Sequence, residues 1–363
     1  KKIDRTHHII DATYVDASGV EQRDDNLTIT VDLDSLPDIL LESDFNNIKN
    51  ENFALELLST ISYYDLINGY KEHFMVNDIY GDSNIIDLFD YSFTDRTFQG
   101  IIFKYSLLVE TRFRYVMSNV VAEDFGERES DYLNLSKYKI PRNPKRRDKL
   151  NETLSDIRGI YNPRTPNKII PNPTKHYILK YGYIPPWILF KNVTFSSLTD
   201  LYSFMPISTK VKIANEMVPI ATMDDFKKTE FLKNGLTLIR KYRNNIAHDL
   251  KFINVCNSKY GLNKEIFNYP GLSELVTKSE LKDGKCKNDH FALIVSITVL
   301  LNNIFLQNKL KNELLDFSHN INILGLKNSA AKYLINMKIP NDFPSRIQNY
   351  ISIAYKDIFI QHN

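Results

Sequence analysis

Cysteine is nearly absent: Cys256 and Cys286 are the only two in 363 residues, too few for a disulfide framework or a cysteine-rich zinc site. A reducing cytoplasm is the compartment that suits such usage. Long apolar runs are missing too. The longest, FALIVSITVLL from Phe291 to Leu301, falls short of the roughly 20 residues that a spanning helix needs, and it reads as a buried core helix ended by Asn302 and Asn303. No membrane partner is expected. The stretch KKIDRTHHIIDATYVDASGVEQRDD has no apolar export region and no small-residue cleavage site, so nothing in it marks the chain for export. Glycine-rich phosphate loops, nucleotide-binding fingerprints and internal repeats are lacking as well. A two-metal nuclease needs clustered carboxylates, and Asp24/Asp25 and Asp224/Asp225 read better as a loop and a helix start, so no metal or cofactor is called for.

What is present is ample core material: 43% hydrophobic residues in a chain this long support one large domain or two closely packed ones. The net charge of +2 conceals an asymmetry. Residues 1–56 carry five basic side chains against thirteen acidic ones, whereas residues 137–180 carry twelve Lys and Arg against Asp148, Glu152 and Asp156. This middle segment also holds six of the fourteen prolines, Pro141, Pro144, Pro163, Pro166, Pro171 and Pro173, which predicts an irregular cationic loop rather than a helix. Its Lys and Arg, with Tyr138, Tyr161, His176 and Tyr177 interleaved, have the composition of a polyanion-binding strip. A solvated surface loop has the same composition. The candidate phosphate contacts are Arg142, Lys145, Arg146, Arg147 and Lys175.

Helical periodicity dominates the rest. NLTITVDLDSL near Asn26 alternates as a short strand would. Helices are expected over Phe53 to Tyr64, over a long core segment from Thr97 to a stop at Gly126, and over Phe195 to Met205 and Ile207 to Met217. Further ones are expected over Phe226 to Phe252, Phe291 to Leu310 and Ser345 to Ile360. The fold class is all-α.

The helix beginning at Asp224 or Asp225 has an apolar stripe of Leu232, Leu236, Ile239, Ile246 and Leu250, and Arg243 occupies the position in line between Ile239 and Ile246. At about 100° per residue, Arg243, Ala247, Asn244 and His248 share one sector of the helix. That sector joins a fixed cation, an amide and a titratable imidazole beside a small residue that admits close approach. The alternative is a structural ion pair, with Glu110 or Asp249 as the partner of Arg243.

Arg243-Asn244-Asn245-Ile246-Ala247-His248 resembles the R-N-x-x-A-H form of the Arg-x4-6-His motif that defines HEPN-domain ribonucleases. The surroundings resemble the Abi-like family of bacterial phage abortive-infection proteins, the AbiD and AbiF group. YYDLINGYKEHF from Tyr63, FKYSLLVETRFRYVMSN from Phe103, YIPPWILFKNVTFSSLTDLYSFM from Tyr183 and NDHFALIVSITVLLNNI near the carboxy terminus stand in the family's order, from about Val31 to Pro344. The resemblance implies an all-α HEPN-like bundle with additional helices, over residues 31–363. Its core would run from about residue 95 to 310, interrupted by the basic insertion at 137–186; the acidic arm at 1–30 is not explained by the resemblance. It implies an RNA-directed toxin that arrests phage-infected cells, with a small structured noncoding RNA as an associated partner. Family members often carry an aromatic and an additional basic residue around the motif histidine; here Asp249 follows His248, an acid that would lower local RNA affinity or raise the imidazole pKa.

The matching chemistry is attack by the RNA's own 2′-hydroxyl on the adjacent phosphorus, with His248 as general base or acid, Arg243 on the phosphate and Asn244 orienting. One histidine cannot supply both proton transfers in a single step. His7, His8, His73, His176, His290, His319 and His362 all lack an Arg at the motif spacing, so a homodimer pairing two motif helices is expected, with RNA and not DNA as its ligand. Two other functions fit the same residues: an RNA-binding HEPN protein that does not cut, and a structural α-bundle in which Arg243 is an ion-pair residue. If Arg243 has no carboxylate to strand, Arg243→Ala, like His248→Ala, should abolish cleavage and leave the melting temperature unchanged or slightly raised.

Overall fold

The computed structural model describes residues 12–15, 21–24, 56, 58–62, 64–75, 85–162, 169–248, 250–255, 261–319 and 329–356. The fold is all-α. Among the described residues the only strands are β1 (Ala12–Val15) and β2 (Glu21–Asp24), an antiparallel pair with Ala12 opposite Asp24 and Val15 opposite Glu21. The strand expected near Asn26 lies outside the described residues. Helices of eight or more residues are α1 (Ile85–Phe125), α2 (Pro144–Tyr161), α3 (Thr174–Tyr181), α4 (Phe195–Phe204), α5 (Ile207–Met217), α6 (Asp225–Ala247), α7 (His290–Leu301), α8 (Ile304–His319), α9 (Ser329–Asn336) and α10 (Phe343–Ala354).

The chain divides into two compact units, Lys1–Phe93 with Asn322–Ser329, and Thr94–Ile321 with Ala330–Asn363. In the first, Tyr91 gathers Tyr70, His73 and Phe74 around its ring at centroid distances of 5.9, 5.7 and 5.1 Å. The helix expected over Phe53 to Tyr64 falls only partly within the described residues: Leu58 to Thr60 are helical, Ile61 and Ser62 are not, and a π-helical turn follows at Tyr64–Asn68.

In the second unit, α1 buries Phe98, Ile102, Tyr105, Val109, Phe113, Val116 and Val120, the three-and-four spacing of one helix face. The helix begins at Ile85 rather than Thr97, since IIDLFDYSF offers neither glycine nor proline to stop it. It ends where Gly126 turns to φ 110°, a conformation in which a Cβ would also meet the Asp131 side chain at 3.1 Å. Every residue of α7 is buried, in keeping with a helix that is apolar all round. Against it lies α6, close enough that a Cβ on Gly235 would stand 3.1 Å from Leu300 and 3.4 Å from Ser296.

Several sequence expectations need correction. The basic segment is not wholly irregular: α2 covers residues 144–161. Pro144 sits at the first helical positions, where its missing N–H costs nothing, Asn143 caps the start, and no further proline intervenes before Pro163. The run Phe291 to Leu310 is two helices, because Asn302 takes a left-handed conformation (φ 39°, ψ 47°) and Asn303 caps the next helix by accepting from the Leu306 N–H at 3.0 Å. α6 stops at Ala247, short of Phe252, and α10 spans Phe343–Ala354, whereas residues 357–363 lie outside the described part.

Candidate functional site

Asp224 caps α6 by accepting from the Lys227 N–H at 2.9 Å, fixing where the motif helix starts. Its buried stripe is Phe231, Leu232, Leu236, Leu238, Ile239 and Tyr242. The stripe thus leaves the helix at Tyr242 rather than passing through Arg243. Ile246 is half-buried and Leu250 exposed, so Arg243 flanks the core instead of standing inside it, its side chain 28% exposed.

Arg243 reaches across to α1. One terminal nitrogen lies 3.5 Å from Oε2 of Glu110, whose side chain is only 8% exposed, and the guanidinium carbon stands 5.9 Å from the centroid of the Phe103 ring. The other terminal nitrogen donates to Oδ1 of Asn244 at 3.2 Å. Glu110 is shared: Arg114, one turn on in α1, donates to its Oε1 at 2.7 Å and also to the Val193 carbonyl at 3.1 Å. The cluster is incompletely bonded. Oε2 of Glu110 and the Nε atoms of Arg114 and Arg243 are buried without a hydrogen-bond partner. Unsatisfied buried polar atoms are uncommon enough to call for a functional account.

His248 is the C-cap of α6, its N–H shared among the carbonyls of Asn244, Asn245 and Ile246. Its side chain is exposed, as is Ala247, and among the described residues the imidazole makes no hydrogen bond. Asp249 lies outside the described residues. Four residues stand between Arg243 and His248, five steps of roughly 1.5 Å along the axis. An arginine anchored to a carboxylate and an uncommitted imidazole therefore stand at the same end of α6.

The segment beyond His248 is pinned. Phe252 is fully buried and tied at both ends of its peptide groups: its N–H donates to Oδ2 of Asp95 at 3.1 Å, and its carbonyl lies 2.7 Å from Nε2 of His290. Gln99 donates to Oδ2 of Asp95 and the Tyr333 hydroxyl to Oδ1. Tyr242 packs its ring 5.3 Å from Phe252 and 5.1 Å from His290, and donates its hydroxyl to the Val255 carbonyl. This clamp draws the chain inward and ends α6 early. Burial holds His290 at a pKa of about 4 against the ordinary 6.5, with the Phe252 carbonyl opposing that fall and Lys338 adding to it. The unfolded chain thus takes up a proton near pH 6.5 that the folded one refuses, so stability present above pH 6.5 is lost as pH falls towards 4. Urea midpoints should drop more in the parent than in His290→Gln, which keeps an N–H donor and does not titrate, between pH 7.5 and 4.5. Equal drops would remove His290 from the clamp.

The basic segment places Arg142, Lys145, Arg146 and Arg147 together, all exposed, around the start of α2. No acid balances them in the first turn, where the helix dipole itself disfavours cations. Lys175 is exposed on α3, next to a ring cluster of His176, Tyr177 and Tyr181, and makes no side-chain hydrogen bond or ion pair among the described residues. Two neighbours escaped the sequence reading. Arg114 carried a signal, its spacing of four from Glu110 on a helix; Phe103 carried none, since its contact crosses between helices. Among the described residues no group of three His, Cys, Asp or Glu side chains is placed to hold a metal ion, and no helix is long and apolar enough to cross a membrane.

No curated protein and no solved structure matches the chain. The family described as Abi-like protein does, over residues 56–254, a span shorter at both ends than Val31 to Pro344 but one that takes in α1, the basic segment and the whole Arg243 to His248 motif. With more than half of its length matched, the chain belongs to the Abi-like family.

Proposed function

We propose that this Abi-like protein is an effector of phage abortive infection that cuts RNA without a metal, as a HEPN-type endoribonuclease. The observation that carries the reading is the pairing, at one end of α6, of an under-bonded Arg243 with an exposed, uncommitted His248. The Arg243 side chain is 28% exposed, held from one side by Phe103 and by a loose 3.5 Å contact to Glu110, so a phosphate oxygen can approach its terminal nitrogens. Asn244, bonded to the guanidinium, fixes its plane. His248 removes the proton from the 2′-hydroxyl, or delivers one to the departing 5′-oxygen; the phosphorus gains the bond to the 2′-oxygen and loses that to the 5′-oxygen, leaving a cyclic phosphate. Arg243 offsets the charge that develops on the non-bridging oxygens.

The second proton transfer is assigned to the His248 of another copy, with two α6 ends facing each other across a two-fold axis. Exposure of Ala247, His248 and Leu250 supports this. Purified protein should have the mass of a dimer and should cut cellular RNA in EDTA, leaving 2′,3′-cyclic phosphate ends. A strictly monomeric protein that still cuts would remove the composite site, and RNA bound but left intact would favour a binding protein acting with a noncoding RNA.

A further inference from the structure

Lys210, on α5, donates its ammonium to the Ser203 carbonyl at 2.6 Å, an acceptor without charge. Burial and the cations around it, Lys139, Lys233 and Arg146, hold its pKa down at about 8. These groups converge from four parts of the second unit: Lys139 from the strand-like stretch before α2, Arg146 from α2, Lys210 from α5 and Lys233 from α6. The Lys139 N–H donates to the Phe204 carbonyl at 2.7 Å, and the Arg146 guanidinium sits 5.7 Å from the Phe204 ring, so Lys139, Arg146 and Lys210 border the α4–α5 turn, while Lys233 stands on α6, the helix packed against α5. Among the described residues none of the four has an ion-pair partner. The nearby acid, Asp200, is taken by Arg240 at 3.0 Å and Lys149 at 3.7 Å. Lys210 satisfies a carbonyl at the carboxy-terminal end of α4 and Arg146 lies over a ring, but neither contact needs four cations together, and a cluster of like charges is better explained by what it binds.

The geometry of α6 says what that is. Lys233, Thr237, Arg240, Asn244 and His248 recur at intervals of four, three, four and four, which keeps them within a sector of roughly 80°. All five are exposed or half-buried, while the opposite face holds the core. A polar lane therefore leads along the helix from the cation cluster to the motif histidine, about 22 Å away. A free phosphate would need no lane; a polymer of phosphates would.

We infer that Lys139, Arg146, Lys210 and Lys233 form a backbone-phosphate site for single-stranded RNA, which holds the strand at one end of the α6 lane while His248 stands at the other. The identity of the anion as RNA rests on the reading above; the site itself stands on the cluster. The ligand is a phosphodiester chain read through its charge, without base preference.

The test uses the full chain and a 2′-O-methylated oligouridine, which lacks the attacking hydroxyl and cannot be cut. Lys139→Gln/Lys210→Gln/Lys233→Gln should bind it at least about tenfold more weakly, with a log–log salt slope smaller by roughly two, at about 0.7 per phosphate contact on a single strand. Should that variant melt early, Lys139→Gln/Lys233→Gln, which alters exposed side chains only, should show the same trend with a smaller change in slope. Lys210→Arg adds a signature that a structural role would not give. The parent should bind progressively less tightly from pH 7 to 9, as Lys210 loses its proton, and the always-charged arginine variant should not. Parent-like affinity and slope in the triple variant would overturn the site, and so would a parent that ignores the oligonucleotide at low salt. A parent that binds the blocked strand through these lysines but leaves unblocked RNA whole would support the site and sink the cleavage reading alone.

Discussion

His248→Ala is expected to reduce RNA cleavage by roughly 10² to 10⁴, and cellular toxicity with it, while the thermal midpoint stays where it is. The side chain is exposed, makes no hydrogen bond among the described residues, and contributes to the fold only through its backbone N–H, which alanine also supplies. Binding of uncut RNA should survive. Because two motifs are assigned to one site, mixed dimers of parent and variant should lose more activity than the fraction of variant chains alone accounts for. Full cleavage by the His248→Ala protein, with the product ends unchanged, would take the histidine out of the chemistry.

Glu110→Ala should be the most destabilising single change in the site, by about 3 kcal/mol, the lower end for breaking a buried ion pair because both guanidinium groups are partly wet. Two arginines converge on this carboxylate, and its loss leaves Arg114 and Arg243 facing each other. Arg243→Ala should cost less, about 1 kcal/mol, since Arg114 keeps Oε1 at 2.7 Å and what disappears is the looser 3.5 Å contact at Oε2, the long bond to Asn244 and the contact with the Phe103 ring. The sequence reading expected no cost at all, on the view that a phosphate-binding arginine has no carboxylate to strand; Glu110 is that carboxylate, and the expectation changes accordingly. Cleavage should nonetheless vanish in Arg243→Ala and fall sharply in Arg243→Lys, which restores charge but not the planar fork. Thermal melts beside the parent decide the matter. An Arg243→Ala midpoint as low as that of Glu110→Ala would show an arginine that holds the bundle, and its lost activity would then carry no message about catalysis.

Much of the molecule could be read from side-chain spacing. The periodicity of Phe98, Ile102, Tyr105 and Val109 marks α1, the aspartate at 224 marks the start of α6, and the unbroken apolar character of Phe291 to Leu301 marks a helix buried on every side. Failures came where a single backbone feature outweighed composition. Six prolines across the basic segment argue against a helix, yet between Pro144 and Pro163 none stands in its way. Asn302 ends an apolar run by its polarity, but what splits one helix into two is its tolerance of left-handed backbone, which polarity does not reveal. For the site, Arg243, Asn244 and His248 were visible as neighbours on one helix, and Glu110 as a partner. The Phe252 clamp and the Lys139, Arg146, Lys210 and Lys233 cluster were not, because their members come from elements far apart in the chain and meet only through packing.

The close seat of α6 on α7 at Gly235 has a consequence for the substrate rather than for the fold. A helix seated this closely on a fully buried neighbour resists sliding, so the interval from Lys233 to His248, about 22 Å along the axis, acts as a gauge. A strand gripped by its phosphates at one end of such a gauge, as proposed above, would have to reach the other end to be cut. On the proposed reading the grip falls on any phosphate of a strand, so what the gauge sets is the shortest RNA that can be held and cut at once, and cleavage should fall off below that length whatever the bases.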